Sequence, residues 1–305
     1  MTVKSRIEQK SIEISDKDRL NRYLSQITAP CSDLTFTNLF MWRKSYNIRW
    51  AEVCDTLFIT FGHSGAPFAA CLPIGGSLRD AVFMLRDLFE EQGMKLRITL
   101  YGDGQMRLLE RTFPDAFTFT PQRSQFDYVY SVRELTALSG KRYHAKKNHL
   151  NKFKSMYDWE YRHMTPEYRP LCEDVFRRWY KDKIGVIPGV EEQFEAVSEL
   201  LNNWENLDIT GGCLTADGSI AAFSFGEPLR FDPSCAVIHL EHADTNFQGS
   251  YAAMNQQFLE HEWQDFEYVN REEDMGIEGL RKAKLSYNPA FMVKKYSAVL
   301  KMPLK

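Results

Sequence analysis

Carboxylates, a lysine and a tyrosine lie close together in residues 270–289 and offer the groups that acyl transfer needs. Acyl transfer requires a base that frees the attacking amine or hydroxyl, donors for the tetrahedral oxyanion, and a group that steadies the leaving oxygen. Glu272 and Asp274 lie two apart on or just beyond a predicted strand, so both carboxylates should point the same way. Lys284 and Tyr287 lie three apart on one predicted helix face. These four residues are therefore candidate catalytic groups.

Each candidate also has a structural interpretation. The two carboxylates fit an exposed acidic loop balanced by Arg281 and Lys282 one helical turn later, and this alternative carries equal weight. Tyr287 could simply pack beside Pro289. Glu241 is a further candidate base, because it shares a predicted strand face with His239 directly before a glycine-containing loop. A cross-strand ion pair explains Glu241 equally well.

That loop joins a predicted strand to a predicted helix. A helix N-terminus exposes unpaired N–H groups and a partial positive charge, and a glycine there lets an anionic or carbonyl oxygen approach the backbone. The structural alternative is that the glycine only turns the chain and the serine after it caps the helix. The candidate donor-binding residues are Asn246, Gln248, Gly249, Ser250 and Tyr251.

A basic segment opens the second half of the chain, where the window from Leu135 to Tyr157 contains no acidic residue. Such a helix could hold tRNA phosphates, with an affinity that falls steeply as salt rises. It could equally meet anionic lipid head groups, or be a solvated face with no partner. The candidate phosphate contacts are Lys141, Arg142, Lys146 and Lys147.

The elements that must position these groups can be predicted from periodicity and turn residues. In the first half we predict a hairpin of strands 55–62 and 66–74 around His63–Gly65, a helix 78–92, and strands 95–103 and 126–132. The second half should hold a hairpin around Asp217-Gly218. Its other elements, in order, are the basic helix, a strand 159–165, helices 166–183 and 191–207, a strand 235–244, a helix 251–264, a strand 266–272, a helix 276–286 and a strand 291–299.

The order strand, loop, helix, strand, helix, strand resembles the core of GNAT acyltransferases. In that family the corresponding loop reads Gln/Arg-x-x-Gly-x-Gly/Ala and holds the coenzyme A pyrophosphate; here the central glycine matches as Gly249, and the flanking positions do not. Residues 270–289, the helix sequence GSYAAMNQQF and the segment LSGKRYHAKKNHLNKF resemble bacterial proteins grouped with the C-terminal domain of phosphatidylglycerol lysyltransferase. The resemblance spans most of 136–300 and, more loosely, the whole chain.

That group is similar to the Fem-type aminoacyltransferases, which pair two GNAT-like domains and move an aminoacyl group from tRNA to an amine or hydroxyl. The resemblance implies an α+β fold of two GNAT-like domains in tandem, with mixed, mostly antiparallel sheets flanked by helices. We expect an N-terminal domain over 1–135, which typically supports the second copy, and a catalytic C-terminal domain over 136–305.

The resemblance also implies direct attack on the donor, without a covalent enzyme intermediate and without a tightly bound cofactor. The co-substrate would be aminoacyl-tRNA or acyl-CoA. The loop sequence favours acyl-CoA less, so tRNA is an expected partner. The acceptor would be a small molecule, a peptide or a lipid head group. Two other classes stay open: a non-catalytic GNAT-like binding or regulatory module, and a peripheral enzyme that modifies lipid head groups.

Composition narrows these alternatives. A formal net charge of −3 argues against a protein that coats nucleic acid non-specifically. The polar N-terminus has no apolar region of a secretory signal, and no apolar run reaches the roughly 18 residues of a membrane span. Six cysteines without CxxC spacing fit reduced, buried thiols, and we predict no metal site. We therefore expect a cytoplasmic protein that can touch a membrane peripherally, and the oligomeric state stays open.

Overall fold

The computed structural model describes residues 7–62, 69–186, 189–301 and 304. The chain divides into two compact units: unit 1 comprises Met1–Phe126 and Val293–Lys305, and unit 2 comprises Asp127–Met292. Each unit has its own sheet and its own apolar core.

The first part of the chain supplies most of unit 1. Its elements are β1 (Lys10–Ser11), α1 (Lys17–Leu24), α2 (Phe36–Met41), β2 (Arg49–Val53), β3 (Thr56–Phe61), β4 (Ala69–Cys71), β5 (Ile74–Gly75), α3 (Leu78–Glu91), β6 (Arg97–Tyr101), α4 (Gly102–Thr112) and β7 (Phe117–Pro121).

The middle of the chain forms unit 2, and a last strand follows it. The elements are β8 (Asp127–Ser131), α5 (Val132–Ala137), α6 (His144–Met156), β9 (Trp159–His163), α7 (Arg169–Lys183), α8 (Val190–Asn203), β10 (Thr210–Ala216), β11 (Ser219–Pro228), β12 (Cys235–Ala243), α9 (Ser250–Glu262), β13 (Tyr268–Asn270), α10 (Glu278–Leu285), β14 (Phe291–Val293) and β15 (Lys295–Leu300).

Local sequence accounts for many of these elements. Helix α3 buries Val82, Leu85 and Phe89 on one stripe, and the Ser77 hydroxyl caps it by accepting a hydrogen bond from the Asp80 N–H at 3.3 Å. The β10–β11 hairpin turns at Asp217-Gly218, where both φ angles are positive, as a type I′ turn requires. The predicted helix 78–92 and the predicted Asp-Gly hairpin are therefore confirmed.

The predicted hairpin of the first half is also present, because β3 pairs antiparallel with β4 at Thr60↔Ala70. Its expected turn, His63–Gly65, lies outside the described residues. All six cysteines are free thiols; five are buried, as predicted, and Cys54 is exposed. Within the described ranges, none of the helices combines the length and apolar character needed to cross a membrane.

The two sheets share one plan. Unit 1 has the order β1-β2-β3-β4-β6-β15-β7, and unit 2 has the order β9-β10-β11-β12-β13-β8-β14. In each, four antiparallel strands lead to a helix, α3 or α9, which leads to a strand parallel to the fourth. Strand β8 then pairs antiparallel with β13, and β15 pairs antiparallel with β6 and β7. The predicted α+β class, with mixed, mostly antiparallel sheets flanked by helices, is confirmed.

The chain divides at a different place from the predicted boundary between residues 135 and 136. Strand β8 pairs with β13 inside unit 2, and β15 pairs with β6 and β7 inside unit 1. Each sheet is thus completed by a strand that the predicted boundary would assign to the other domain. Period-two patterns locate a strand, but long-range pairing decides which sheet it joins, so the sequence alone did not reveal this exchange.

We predict that residues 127–292 fold alone and that residues 136–305 do not. The first fragment keeps six strands of its sheet whole and two of the three residues of β14, whereas the second lacks β8 and loses the buried side chains of Tyr128, Tyr130 and Val132. Circular dichroism and the dispersion of ¹H–¹⁵N spectra would show a cooperative fold for 127–292 only. Equal dispersion and equal thermal cooperativity in 136–305 would contradict this assignment of strands.

His242 gives unit 2 a defined sensitivity to acid. Its side chain on β12 packs edge-on against Phe176 and Trp179, and its Nε2 is buried with no hydrogen-bond partner among the described residues. Burial lowers the pKa of His242 to about 4. The folded state therefore keeps this ring neutral while the unfolded chain protonates it below its ordinary pKa of about 6.5.

The free energy of unfolding should accordingly fall as the pH drops from about 6.5 to 4, because in this range the unfolded chain binds a proton at His242 that the folded chain does not bind. The loss attributable to His242 between pH 7 and pH 4.5 should be roughly 2 to 3 kcal/mol. Chemical unfolding of wild type and of His242→Phe at both pH values measures it, since His242→Phe keeps an aromatic ring and removes the proton site. Identical pH slopes for the two proteins would refute the assignment.

Candidate functional site

Two neighbouring parallel strands of unit 2 part at the end of their pairing. Strands β12 and β13 pair from Cys235↔Tyr268 to Val237↔Asn270. Strand β12 then runs on to Ala243, while β13 ends at Asn270. In open sheets ligands bind beyond the carboxyl ends of such strands. Side chains from the free end of β12 and from the chain after β13 meet at this point.

A buried ion pair bridges the two strand ends. The Arg271 Nη2 donates to Glu241 Oε1 at 2.8 Å, and the Asn255 Nδ2 of α9 donates to Glu241 Oε2 at 3.3 Å. The Arg271 guanidinium lies 5.0 Å from the ring centroid of Tyr287, and the Lys146 Nζ of α6 lies 4.0 Å from the same centroid. We call these five residues the Glu241–Arg271 cluster.

The cluster holds an excess of positive charge in a partly desolvated place. The Arg271 and Glu241 side chains are only 13% and 12% exposed. Burial and then the nearby Arg271 charge lower the pKa of Lys146, while Glu241 acts in the opposite direction. Burial also works against the charge on Arg271, but Glu241 and the neighbouring phenols raise its pKa above the ordinary value. Two cations beside one carboxylate favour an electron-rich oxygen on a ligand.

Tyrosine hydroxyls complete the surroundings of the carboxylate. Burial raises the pKa of Tyr287 to about 12, with Arg271 opposing this rise and Glu241 adding to it. Burial also raises the pKa of Tyr251, and the Glu241 charge contributes to that rise. Both phenols therefore stay protonated at neutral pH and can donate a hydrogen bond or a proton.

Two polar atoms of the cluster are buried without a partner among the described residues. They are the Nη1 of Arg271 and the Oδ1 of Asn255. A buried donor or acceptor left unpaired costs about 1–3 kcal/mol, and more when it is charged. Because both side chains already contact Glu241, the unfilled donor and the unfilled acceptor belong to one small region. A ligand group that entered this region would need an acceptor oxygen and an N–H group to pair with both atoms.

The structure brings four of the predicted residues together. Glu241 and Tyr287 belong to the cluster, Lys146 enters it from the basic helix, and Tyr251 lies near the Glu241 carboxylate. His239 and Glu241 have different partners, because the register of β11 and β12 shifts between Ile238 and Leu240.

Asp274 does not face this region, which corrects its predicted role. Its carboxylate is fully buried, and Oδ2 accepts hydrogen bonds from the Tyr128 hydroxyl at 2.6 Å and from the Arg281 Nε at 2.8 Å. Burial opposes ionisation, but the bonds from Arg281 and Tyr128 hold the pKa of Asp274 well below its ordinary value. Asp274 therefore ties the start of α10 to β8.

Glu272 and Lys284 also have partners that differ from the predicted ones. Glu272 adopts a positive φ of 57°, and its Oε1 lies 2.9 Å from the His239 Nδ1, so it does not point the same way as Asp274. The Lys284 Nζ donates to the carbonyl oxygens of Arg271 and Glu272. Burial, together with the Arg271 charge, lowers the pKa of Lys284 to about 8. Both side chains hold the backbone that carries Arg271.

In the predicted donor loop, three backbone N–H groups already have hydrogen-bond partners within the chain. The Asn246 N–H donates to Asp244 Oδ1 at 2.9 Å, the Gln248 N–H to the Tyr157 hydroxyl at 2.9 Å, and the Ser250 N–H to the Phe247 carbonyl at 3.1 Å. A Cβ at Gly249 would lie 2.3 Å from the backbone oxygen of His149. Gly249 therefore lets α6 pack on the start of α9, and does not offer open backbone to a phosphate.

The basic helix divides into an outer and an inner face. Lys141, Arg142 and Lys147 are exposed, and Arg142 forms an ion pair with Glu134. Leu150 and Phe153 pack into the core of unit 2. Of the four predicted phosphate contacts, Lys146 lies in the Glu241–Arg271 cluster.

Sequence patterns gave no role to Arg271 or Asn255. Arg271 directly follows a strand that ends beside the longer β12, and this position at a carboxyl strand end is a signal that could have identified it. Asn255 lies on α9, whose positions are buried almost all round, so periodicity did not distinguish it.

We predict that Gly249→Ala destabilises unit 2 by about 2–4 kcal/mol, because it adds a backbone clash to the cost of a positive φ. Gly189→Ala is a matched control: Gly189 also precedes a helix with positive φ, but a Cβ there meets nothing within 4 Å. The control should lose only about 1 kcal/mol. Free energies of unfolding measure both, and equal losses would show that α6 does not press on this loop.

Comparisons with known proteins agree with this architecture. The family described as "Phosphatidylglycerol lysyltransferase, C-terminal" matches residues 25–299. A crystal structure of a conserved protein of unknown function from Bacteroides thetaiotaomicron VPI-5482 is 35% identical, with a TM-score of 0.90, covering 97% of this chain and 100% of that chain. The structure of L-PGS from Bacillus licheniformis is 14% identical, with a TM-score of 0.65, covering 94% and 93%.

Two further comparisons bear on fold and extent. A tandem GNAT protein from the clavulanic acid biosynthesis pathway is 10% identical, with a TM-score of 0.52, covering 98% of this chain and 100% of that chain. The predicted GNAT-like fold is thereby confirmed. The uncharacterized protein MYCGA3080 of Mycoplasmoides gallisepticum (strain R(low / passage 15 / clone 2)) is 27% identical over an alignment of 183 residues that covers 57% of this chain and 56% of that protein. The match thus spans little more than half of that relative.

Proposed function

Because the chain belongs to the family of the phosphatidylglycerol lysyltransferase C-terminal domain, we propose that it transfers an acyl group, with an aminoacyl ester of tRNA as donor. The acceptor is an amine or hydroxyl, and the reaction takes place at the Glu241–Arg271 cluster of unit 2.

The observation that carries this proposal is the pair of unfilled polar atoms beside Glu241. An aminoacyl group presents a carbonyl oxygen and an amino group on adjacent carbons. The Arg271 Nη1 can donate to the carbonyl oxygen, and the Asn255 Oδ1 can accept from the amino group. A simple acyl thioester would fill the donor and leave the buried acceptor empty. This complementarity supports an aminoacyl donor over an acyl-CoA.

The cluster also supplies the groups for direct attack. The nucleophile adds to the ester carbonyl carbon and passes its proton to Glu241, while Arg271 and Lys146 stabilise the negative charge that develops on the carbonyl oxygen. Collapse of the tetrahedral intermediate breaks the bond to the ribose oxygen, which takes a proton from the Tyr287 phenol. Tyr287 regains a proton from Glu241 through the solvent, so no net proton is consumed. Glu272 and Lys284 act through the backbone of Arg271.

A specific feature of the surface favours a lipid head group as acceptor. Three apolar side chains on or beside α10 are about half exposed: Met275 at 48%, Ile277 at 42% and Leu285 at 45%. Met156, at the end of the basic helix, is 51% exposed. Exposed apolar side chains next to cationic ones are typical of surfaces that contact lipid.

Transfer assays test the donor and the acceptor separately. The purified chain is given tRNA charged with radiolabelled amino acids, or labelled acetyl-CoA, in the presence of a soluble amine, a peptide, or vesicles containing phosphatidylglycerol. We expect label to move from charged tRNA, most rapidly to the vesicles. Movement from acetyl-CoA without tRNA would overturn the proposed donor, and transfer only to the soluble amine or peptide would overturn the lipid acceptor.

We predict that Glu241→Gln lowers kcat by about 10²–10³-fold, because it removes the proton acceptor while keeping an oxygen for Arg271. The matched control is Glu278→Gln, whose carboxylate is 80% exposed and pairs with Lys282 on the surface of α10. The control should keep full activity, and thermal melting should be measured for both variants. Unchanged turnover in a folded Glu241→Gln protein would remove Glu241 from the mechanism.

A further inference from the structure

His239 joins two carboxylates inside unit 2. Its Nε2 lies 2.9 Å from Glu227 Oε1, and its Nδ1 lies 2.9 Å from Glu272 Oε1. The histidine side chain is fully buried, and the two carboxylate side chains are 6% and 19% exposed. A carboxylate can only accept hydrogen bonds, so two such contacts require a hydrogen on each ring nitrogen. The geometry is that of an imidazolium between two glutamates.

The electrostatics agree with this charge state. Burial alone would lower the pKa of His239, but the hydrogen bonds from the ring to Glu227 and Glu272, and the charges of both, raise it to about 9. The two glutamates come from different elements: Glu227 lies on β11, and Glu272 lies in the chain that follows β13. The ring therefore carries its proton throughout the neutral range.

A β-bulge aims His239 at this position. Strand β11 pairs Phe225 with Leu240 and Gly226 with Ile238, so His239 is the extra residue in β12. A bulge re-aims the side chain that it carries and often lies beside a functional site. His239 is in this way placed under the chain that leaves β13.

Glu272 is the residue through which His239 can act on the cluster. It follows Arg271 directly and has a φ of 57°. This conformation costs free energy for any residue other than glycine, so it persists only where the surroundings hold it. Its N–H donates to Asn270 Oδ1 at 2.8 Å, and its carbonyl oxygen accepts from the Tyr128 N–H and the Lys284 Nζ, each at 3.1 Å. The bond to His239 fixes its side chain as well.

We propose that His239 is a positioning residue: as an imidazolium it holds Glu272 in the turn that presents Arg271 to Glu241. The consequence for catalysis rests on the proposed function, whereas the charge state and the turn do not. Loss of one proton leaves a neutral ring with a single N–H, so that one of the two carboxylates loses its donor. Glu227 is almost fully buried, so the ring keeps that bond, and the bond to the more exposed Glu272 is lost.

Nuclear magnetic resonance of ¹⁵N-labelled histidine tests the charge state. Both ring nitrogens of His239 should be protonated from about pH 6 to pH 8, and the ring should titrate near pH 9. In Glu227→Gln the amide can donate to the Nε2 of a neutral ring, so that the same contacts persist and the titration moves to lower pH. A single protonated nitrogen at pH 7 in the wild-type protein would overturn the proposal.

Hydrogen exchange and kinetics test positioning. The variant His239→Gln can contact only one of the two glutamates. We expect its Arg271 and Glu272 amides to exchange at least 10-fold faster than in wild type. We also expect kcat to fall by a larger factor than KM changes. His163→Gln is the matched control, because His163 pairs with Glu262 through a side chain that is 63% exposed.

The pH profile of transfer gives a separate test. Wild-type transfer should fall above about pH 9. The variant Glu227→Gln should stay active to higher pH, because its neutral His239 ring keeps its contacts.

The outcomes separate the two proposals. If wild type transfers nothing from any donor, while His239→Gln loosens the 271–272 turn and the imidazolium is observed, the proposed function fails and the positioning role stands. If exchange at Arg271 and Glu272 is unchanged in His239→Gln, the positioning role fails whatever the activity of the protein.

Discussion

The ion pair between Glu241 and Arg271 is the interaction on which the geometry of unit 2 depends. It forms where the backbones of β12 and β13 stop pairing. Beyond that point the two side chains connect the strand ends. A buried ion pair contributes little net stability, because desolvation offsets most of the attraction between the charges. Its effect lies in orientation: it fixes Arg271 relative to Asn255 and leaves one polar atom of each side chain unfilled.

Unit 1 follows the same plan with different groups at the corresponding place. Its parallel strands β4 and β6 also part, after Cys71↔Thr99, but there the Cys71 thiol and the Tyr101 hydroxyl lie 3.7 Å apart and both side chains are buried. The turn before α3 is equally closed, since a Cβ at Gly76 would lie 2.1 Å from Thr56 Oγ1. A buried ion pair is present here too: the Lys295 side chain is 1% exposed and pairs with Asp33, and its Nζ lies 6.0 Å from the ring centroid of Tyr101. The two copies therefore share a buried ion pair near this point, and they differ in the elements that supply it.

The sequence predicted the elements of the fold better than their partners. Helix 78–92 and the Asp217-Gly218 hairpin depend on local periodicity and turn geometry, and both were found. The exchange of β8 and β15 depends on pairing between distant segments, which local patterns do not encode. The same limit applies to the site. Glu241 and Tyr287 could be proposed from residue type, but Asp274 could not be excluded without knowing that Arg281 and Tyr128 enclose it.

The segment between β13 and β14 concentrates backbone strain around the cluster. Glu272, Met275 and Asn288 all have positive φ although none is glycine. Such residues cost on the order of 1 kcal/mol or more each and persist only where their surroundings over-determine them. At Glu272 those surroundings are the bond of its side chain to His239 and the bond of its carbonyl oxygen to Lys284. A segment shaped for stability alone would carry glycine at these turns and apolar side chains beneath them. The contacts of His239 and Lys284 with Glu272 therefore argue that this turn is shaped to hold Arg271 in one arrangement.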